Sequence, residues 1–319
     1  MSRLVKDLVT RMYPTGSIGR YGNLYEDTTE FMNIDHGDVM LLGGRHYLVL
    51  RDEKECSFGV EDPKYWVKRC RELETGERRI IKLVFYENFP MRLGPVELTA
   101  YRSPRKEARM LELVRGDNRF MQGIAVDDAV GNNVRILTVV RGKRLAEAVD
   151  ELEMDHTTYF HEALPDILVR FMTACEAIRF LHRHGENHGD IRRDHLFVEY
   201  GTGNYVWIDF DYTYEFHENP YGLDLFGLGN LLLFLVGKRF YTPHNLRPYL
   251  EALGEGPPDS GDFSMLFASR LANLRILFPY IPESLNRVLM HFAQSARVFY
   301  THTDEFLSDL EQALGDMTG

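Results

Sequence analysis

The chain has 319 residues, 44% of them hydrophobic and 12% aromatic, so it is long enough to bury a core and too apolar to be disordered. Its 37 lysines and arginines face 48 aspartates and glutamates, and the net charge of −11 argues against a nucleic-acid binder with a broad basic face. Three cysteines without C-x-x-C spacing indicate free thiols in a reducing compartment, and no signal peptide or membrane span is visible. We therefore expect a cytoplasmic protein.

Short apolar runs alternate with turn signals in the first third of the chain. Residues 1–37 show only weak periodicity, and we assign them to an N-terminal extension. The runs that follow occupy 39–42, 47–50, 65–70 and 79–85. Gly-Gly at 43–44 and Glu-Thr-Gly-Glu-Arg at 74–78 provide turns between them. This pattern predicts four successive strands of an antiparallel sheet.

A helix is predicted after Lys82, which lies in the fourth run. Ser103-Pro104 is a helix-start signal, and apolar residues recur at helical spacing up to Gly116, a candidate C-cap. Glu107 shares a turn with apolar residues that would face the core, so it is the first candidate to pair with Lys82. Glu112 is the competing candidate.

Two longer elements come next. Residues 134–140, Val-Arg-Ile-Leu-Thr-Val-Val, are typical of a buried strand, and Arg-Gly follows them. Residues 166–182 carry apolar side chains at i, i+4 and i+7 spacing, which predicts an amphipathic helix.

The stretch from residue 182 to 211 contains two carboxylates beside two apolar runs. The runs, 196–200 and 205–210, bracket Gly-Thr-Gly-Asn at 201–204, which is a hairpin signal. Asp190 precedes the first run and Asp209 ends the second, so the turn would bring them to the same side. Paired carboxylates suit the activation of a hydroxyl and the binding of a hard cation, whereas the alternative is an ordinary hairpin with solvated acids.

The C-terminal third is predicted to be helical. An apolar helix begins at Asp224, and its glycines at 227 and 229 indicate close packing. Two more helices are predicted over 282–296 and 302–315, the last opened by a capping box of Thr301 and Asp304.

In this order, the features resemble the protein-kinase-like superfamily, over about residues 38–315. His188-Gly189-Asp190 resembles the His-x-Asp of the catalytic loop, and Asp209-Phe210-Asp211 resembles the metal-binding Asp-Phe-Gly. Lys82 resembles the strand lysine that holds the nucleotide phosphates, and Glu107 its helix partner. The closing helices resemble those of bacterial Ser/Thr protein kinases.

This resemblance implies a two-lobed α+β fold, with an antiparallel N-lobe sheet plus one helix over residues 38–140 and a mainly helical C-lobe over 141–319. It also implies an ATP- and metal-dependent transfer to a hydroxyl of a protein, small molecule or glycan. Asp190 would act on the hydroxyl, Asp209 would bind magnesium, and Arg192 would contact the transferred group. The backbone of Thr138 and Val140 would face adenine.

Several residues depart from the family pattern. Gly59 is the one glycine where the phosphate-covering loop has three, and Ile80 replaces a small residue under adenine. His195, five positions after Asp190, replaces the asparagine that binds a second metal, and this change should weaken the second metal site or favour manganese. Bacterial lipopolysaccharide heptose kinases resemble the chain in having histidine there.

Three alternatives remain at this point. The first is a pseudokinase that binds nucleotide or a partner without turnover, favoured by the poor phosphate loop, Ile80 and His195. The second is a zinc site of His182, His184, His188 and His195. The third concerns Arg192 and Arg193, which would pair with Asp194 at the surface if they had no role in transfer.

Overall fold

A computed structural model describes residues 3–13, 22–57, 60–93, 96–214, 219–254 and 256–318. The chain divides into two compact units. The first comprises Met1–Glu87 and Arg102–Val140, and the second comprises Asn88–Tyr101 and Arg141–Gly319. Within the described ranges, no helix combines the length and the apolar character that a bilayer-crossing segment requires.

The elements are numbered in chain order. The strands are β1 (Leu24–Tyr25), β2 (Val39–Leu42), β3 (Arg45–Ser57), β4 (Val60–Glu72), β5 (Arg78–Lys82), β6 (Asn88–Leu93), β7 (Val96–Arg102), β8 (Gly123–Asp127), β9 (Asn133–Thr138), β10 (Gly142–Arg144), β11 (Leu196–Glu199), β12 (Tyr205–Trp207) and β13 (Tyr212–Tyr214). The helices are α1 (Arg3–Met12), α2 (Pro104–Leu113), α3 (Leu145–Asp150), α4 (His156–Thr158), α5 (Leu164–Arg183), α6 (Gly222–Gly237), α7 (Pro243–Leu253), α8 (Glu283–Met290) and α9 (Thr303–Thr318).

The first unit is built on a seven-stranded sheet of order β1-β2-β3-β4-β5-β9-β8. β1 and β2 run parallel, and the other neighbouring pairs are antiparallel. Successive side chains of a strand point to opposite faces, so Val39 and Leu48 enter one core cluster while Met40 and Val49 enter the other. The predicted antiparallel N-terminal sheet is confirmed.

Helix α1 packs on the first unit. Its Val9 is buried in the cluster that also holds Val39, Leu48 and Leu73. Part of the weakly periodic N-terminal segment therefore contributes to the core of this unit.

Helix α2 begins where the sequence predicts. The Ser103 side chain accepts a backbone N–H of the first turn at 3.2 Å, and Pro104 opens the helix. The C-cap is Val114, so the prediction that Gly116 caps the helix is wrong. Gly116 lies in the turn beyond, with a φ of 81°.

Helices dominate the second unit, as predicted. Leu168, Phe171 and Ile178 of α5 are fully buried. In α6, a Cβ on Gly227 would come within 2.6 Å of Ile191, which confirms that the helix packs closely there. Fold class is thus confirmed as α+β, with one sheet-rich and one mainly helical unit.

The hairpin predicted around residues 201–204 is present. β11 and β12 pair antiparallel, with Leu196 opposite Trp207. Gly201 and Gly203 have φ values of 85° and 69°, a region in which a side chain would be strained.

Two predictions near the C-terminus are wrong in detail. The helix expected over 282–296 stops at Met290, because Phe292 and Gln294 bond to the backbone of 263–265 instead of continuing the helix. In front of α9, the side chain that accepts the Thr301 N–H, at 2.8 Å, belongs to Glu305 and not to Asp304.

The sequence predicted no element between Lys82 and Ser103, but β6 and β7 form a hairpin there. This hairpin belongs to the second unit, where β7 lies beside β13 in a three-stranded sheet. The Phe89 and Tyr212 rings meet edge to face at 5.7 Å. The segment that follows Asp209 is therefore held as a strand.

Candidate active site

In the first unit, a buried carboxylate joins two cations. Lys82 Nζ donates to Glu107 Oε1 at 2.7 Å, and Arg135 Nε donates to Glu107 Oε2 at 3.1 Å. The Glu107 side chain is 0% exposed, and those of Lys82 and Arg135 are 5% and 1% exposed. The competing Glu112 is exposed and pairs with Arg115.

Arg135 is a residue that sequence reasoning missed. Its guanidinium also donates to the carbonyls of Asn133 at 2.6 Å and Leu83 at 3.2 Å, so its position is fixed by the backbone on both sides. An arginine inside the apolar run 134–140 was the available signal, since a buried strand rarely carries a charge without a partner. The trio has one negative and two positive formal charges, which suits a region that binds phosphate.

In the second unit, a buried carboxylate fixes the loop around Asp190. Asp224 accepts the backbone N–H groups of His188 at 2.7 Å and Gly189 at 2.8 Å, and bonds to His182 Nε2 at 2.9 Å. Burial by itself raises the pKa of Asp224, but the hydrogen bond and charge of His182, with the other donors, outweigh it and lower that pKa. The anchored backbone leads directly into Asp190.

His195 lies between the two predicted carboxylates. Its Nδ1 is 3.3 Å from Asp190 Oδ2, and its Nε2 is 3.5 Å from Asp209 Oδ2. The imidazole is 5% exposed, whereas the Asp190 and Asp209 side chains are 23% and 22% exposed. The hairpin turn thus brings Asp190 and Asp209 to the same side, as predicted.

The hydrogen bonds of His195 identify its tautomer. Nδ1 lies 2.9 Å from the carbonyl oxygen of Asp190, which can only accept, so Nδ1 carries the proton. Nε2 then has the lone pair, and Arg192 donates to it from Nε at 3.0 Å and from a terminal nitrogen at 2.8 Å. Arg192 is also 3.6 Å from Asp190 Oδ2. Its side chain therefore belongs to this cluster, and the expected alternative of pairing with Asp194 is not what the structure shows.

The backbone at Asp209 is unusual. Its φ of 63° lies in the left-handed region, which costs energy for any residue other than glycine. Asp211 follows and is buried at 1% exposure. Strained residues persist where the surrounding structure requires them, and they cluster at functional sites.

The zinc alternative does not fit the described histidines. His182 bonds to Asp224 through Nε2 and to Thr303 through Nδ1 at 2.8 Å. Both ring nitrogens of His195 are engaged with Asp190 and Arg192. A zinc ligand needs a lone pair directed at the metal, and in the observed arrangement neither ring presents one, because His182 and His195 are held by different partners.

The remaining predicted residues concern the nucleotide. Gly59 lies outside the described residues. The Thr138 N–H donates to the carbonyl of Gln122 at 2.8 Å, within the first unit, and the contact of the Thr138 backbone with adenine remains a prediction. Val140 is half-buried at the end of that unit and remains a predicted contact.

Comparison with known proteins gives likenesses of structure. The kinase domain of Mycobacterium tuberculosis PknI has 14% sequence identity to this chain, with a TM-score of 0.48 over 85% of this chain and 97% of that one. A double mutant of the same domain has 13% identity and a TM-score of 0.48, over 84% and 96% of the two chains. No family model and no curated protein matches the chain.

Proposed function

We propose that the chain is a phosphotransferase that moves the γ-phosphoryl group of ATP to a hydroxyl of a protein, small molecule or glycan. The observation that carries this proposal is the bridge that His195 makes between Asp190 and Asp209. The two partly exposed carboxylates, on an anchored loop and a strained turn, suit chemistry better than packing, because a structural role does not require such strain.

Asp190 is the group proposed to act on the acceptor. Its carboxylate accepts the hydroxyl proton while the acceptor oxygen bonds to the γ-phosphorus and the bond from that phosphorus to the bridging oxygen of ADP breaks. Arg192, 3.6 Å from Asp190, would contact the transferred group and offset its charge. Lys82, held in place by Glu107, would bind the phosphates of the nucleotide.

The His195 nitrogen and the Asp209 carboxylate form an environment that suits a cation. The Arg192 guanidinium, itself positively charged, already binds Nε2 of His195, and the Asp209 carboxylate lies beside that nitrogen. Asp209 would hold a divalent metal, with His195 as a nitrogen ligand once Arg192 moves aside. When bound, magnesium or manganese would neutralise phosphate charge.

The test is ATP consumption and thermal stabilisation with magnesium or manganese, in the parent and in Asp190→Asn. We expect metal-dependent stabilisation by ATP in both proteins and a loss of turnover of about 100-fold or more in the variant. Equal turnover in the two proteins would contradict the role of Asp190. No stabilisation by nucleotide in either protein would contradict the proposal as a whole.

One observation favours a second candidate, a pseudokinase that binds nucleotide without turnover. Arg192 occupies the lone pair of His195 that a second metal would need. Stabilisation by ATP and metal without any ATP consumption by the parent would select this candidate.

A further inference from the structure

Two arginines lie around one aromatic ring in the second unit, beside the loop that carries Asp190. The Arg270 guanidinium carbon is 3.9 Å from the centre of the Phe240 ring and 3.7 Å from that of Phe267. The Arg193 guanidinium carbon is 5.6 Å from the same Phe240 ring. Arg193 comes three positions after Asp190 in the chain, so one member of the pair follows directly on the loop of the proposed acceptor site.

The position of Arg270 is fixed by a backbone turn. The Ser264 N–H donates to the Arg270 carbonyl at 2.7 Å, and the Arg270 N–H donates to the Phe267 carbonyl at 2.7 Å. A terminal nitrogen of Arg270 donates to Asn230 Oδ1 at 2.7 Å. The guanidinium thus lies close to two aromatic rings and uses one donor on Asn230, and it has further N–H donors.

The charge of this pair is not balanced by acids. In the described part of the chain, no carboxylate oxygen lies within 4.0 Å of a nitrogen of Arg193 or Arg270, although the chain has a net charge of −11. Burial, and to a smaller extent the charge of Arg193, lower the pKa of Arg270 to about 10. An anion close to either guanidinium group would stabilise its charge.

The surroundings are open and partly apolar. Arg193 is exposed, and Phe267 is 37% exposed. Asn230, the partner of Arg270, also lines a small depression formed mainly by apolar side chains, among them Phe226 and Leu266. This surface suits an extended peptide that carries an acidic side chain next to a small apolar one. A compact phosphorylated metabolite would fit less well, because small molecules bind in enclosed pockets.

We propose that Arg193 and Arg270 bind an acidic side chain of a protein acceptor, close to the hydroxyl that receives the phosphoryl group. This assignment rests on the proposed function and names its substrate class. The planar guanidinium edges would bind the carboxylate through paired N–H donors, and the exposed Phe267 ring would cover it. Acceptor sequences with glutamate or aspartate near the hydroxyl would then be preferred over basic ones.

The experiment measures binding alone, so it does not depend on turnover. Fluorescence anisotropy would compare two labelled serine peptides of equal length, one with glutamates and a leucine beside the serine and one with lysines in place of the glutamates. Both would be titrated with the parent, Arg193→Gln, Arg270→Gln and Arg287→Gln. Arg287 is an exposed arginine of α8, so its variant removes the same charge elsewhere in the unit.

We expect the parent to bind the acidic peptide, and Arg193→Gln and Arg270→Gln to weaken that binding about tenfold each. Arg287→Gln should change it less than twofold. Because Arg193 is exposed, Arg193→Gln should fold, and it can test the proposal even if Arg270→Gln does not fold. Equal binding of the two peptides, or an equal loss in all three variants, would overturn the proposal. So would binding of glucose 6-phosphate, sensitive to Arg193→Gln, by a protein that does not bind the acidic peptide.

Failure of the proposed phosphotransfer and failure of the proposed acceptor class give different results. If the parent binds the acidic peptide through Arg193 and Arg270 but consumes no ATP, the acceptor surface is supported and the transfer activity is contradicted. If ATP is consumed and the acidic peptide neither binds nor is phosphorylated, the acceptor class is wrong and the activity stands.

Discussion

The charged groups of the two units differ in how deeply they are buried and in the kind of backbone that carries them. In the first unit, Glu107 is fully buried and shared by Lys82 and Arg135, on a helix and two strands. In the second, Asp190 and Asp209 remain about one fifth exposed and are linked through His195, on a loop and a strained turn. A buried charge that loses its partner destabilises the fold, whereas an exposed one loses little. The first set should therefore govern folding and the second should govern chemistry.

Removing the shared carboxylate is the strongest way to test this contrast. Glu107→Gln takes away the negative charge between Lys82 and Arg135, and we expect a loss of about 3 to 5 kcal/mol in the free energy of unfolding. Urea denaturation would measure it. Glu112→Gln is the matched control on the same helix, since Glu112 is exposed, and its effect should stay within about 0.5 kcal/mol. Similar losses in both variants would break the contrast.

Asp224 extends the contrast inside the second unit. Its carboxylate is buried, whereas those of Asp190 and Asp209 are about one fifth exposed. Its two oxygens accept from separate backbone groups, those of His188 and Gly189. Asp224→Asn puts an amide N–H against one of these donors, and we expect a loss of about 2 kcal/mol in stability together with lower turnover. The control is Asp304→Asn, whose carboxylate is 52% exposed. A normal melting temperature for Asp224→Asn would show that Asp224 does not anchor the loop.

Asp128 is a carboxylate of the first unit whose role is structural. Burial by itself raises its pKa, but hydrogen bonds from Asn132 and Thr28 outweigh that and bring the pKa to about 2, below its usual 3.8. The folded state then binds fewer protons than the unfolded state, so the stabilisation is present above pH 4 and is lost as the pH falls towards 2. We expect about 1 kcal/mol from this group after allowing for solvent screening.

The measurement for Asp128 is the free energy of unfolding at pH 5 and at pH 3. The parent should lose more stability between these values than Asp128→Asn does, by the part of the Asp128 contribution that is lost above pH 3. Identical losses in the two proteins would show that this carboxylate is not stabilised in the folded state.

The sequence predicted those parts of the fold and site that local chemistry determines. Lys82 and Glu107 come together because a strand and a capped helix place them, and both elements have clear signals. Arg135 was missed although it stands inside an apolar run, because the strand pattern indicates a buried charge there but does not identify its partner. The shortened α8 and the β6–β7 hairpin depend on backbone pairing with distant segments, at 263–265 and at β13, which no local signal contains. The left-handed φ of Asp209 is likewise set by its surroundings.

His195→Asn should have the smallest effect on stability and the most specific effect on the site. An amide oxygen can still accept from Arg192, so we expect a stability loss of less than about 1 kcal/mol. Imidazole suits manganese and amide oxygen suits magnesium, so stabilisation by ATP should shift from manganese towards magnesium in the variant. Thermal shift with each metal would measure the ratio, with His184→Asn, at an exposed histidine, as the control. An unchanged ratio would mean that His195 binds no metal and only orders the carboxylates through its hydrogen bonds. The proposed cation site would then depend on Asp209 and not on His195.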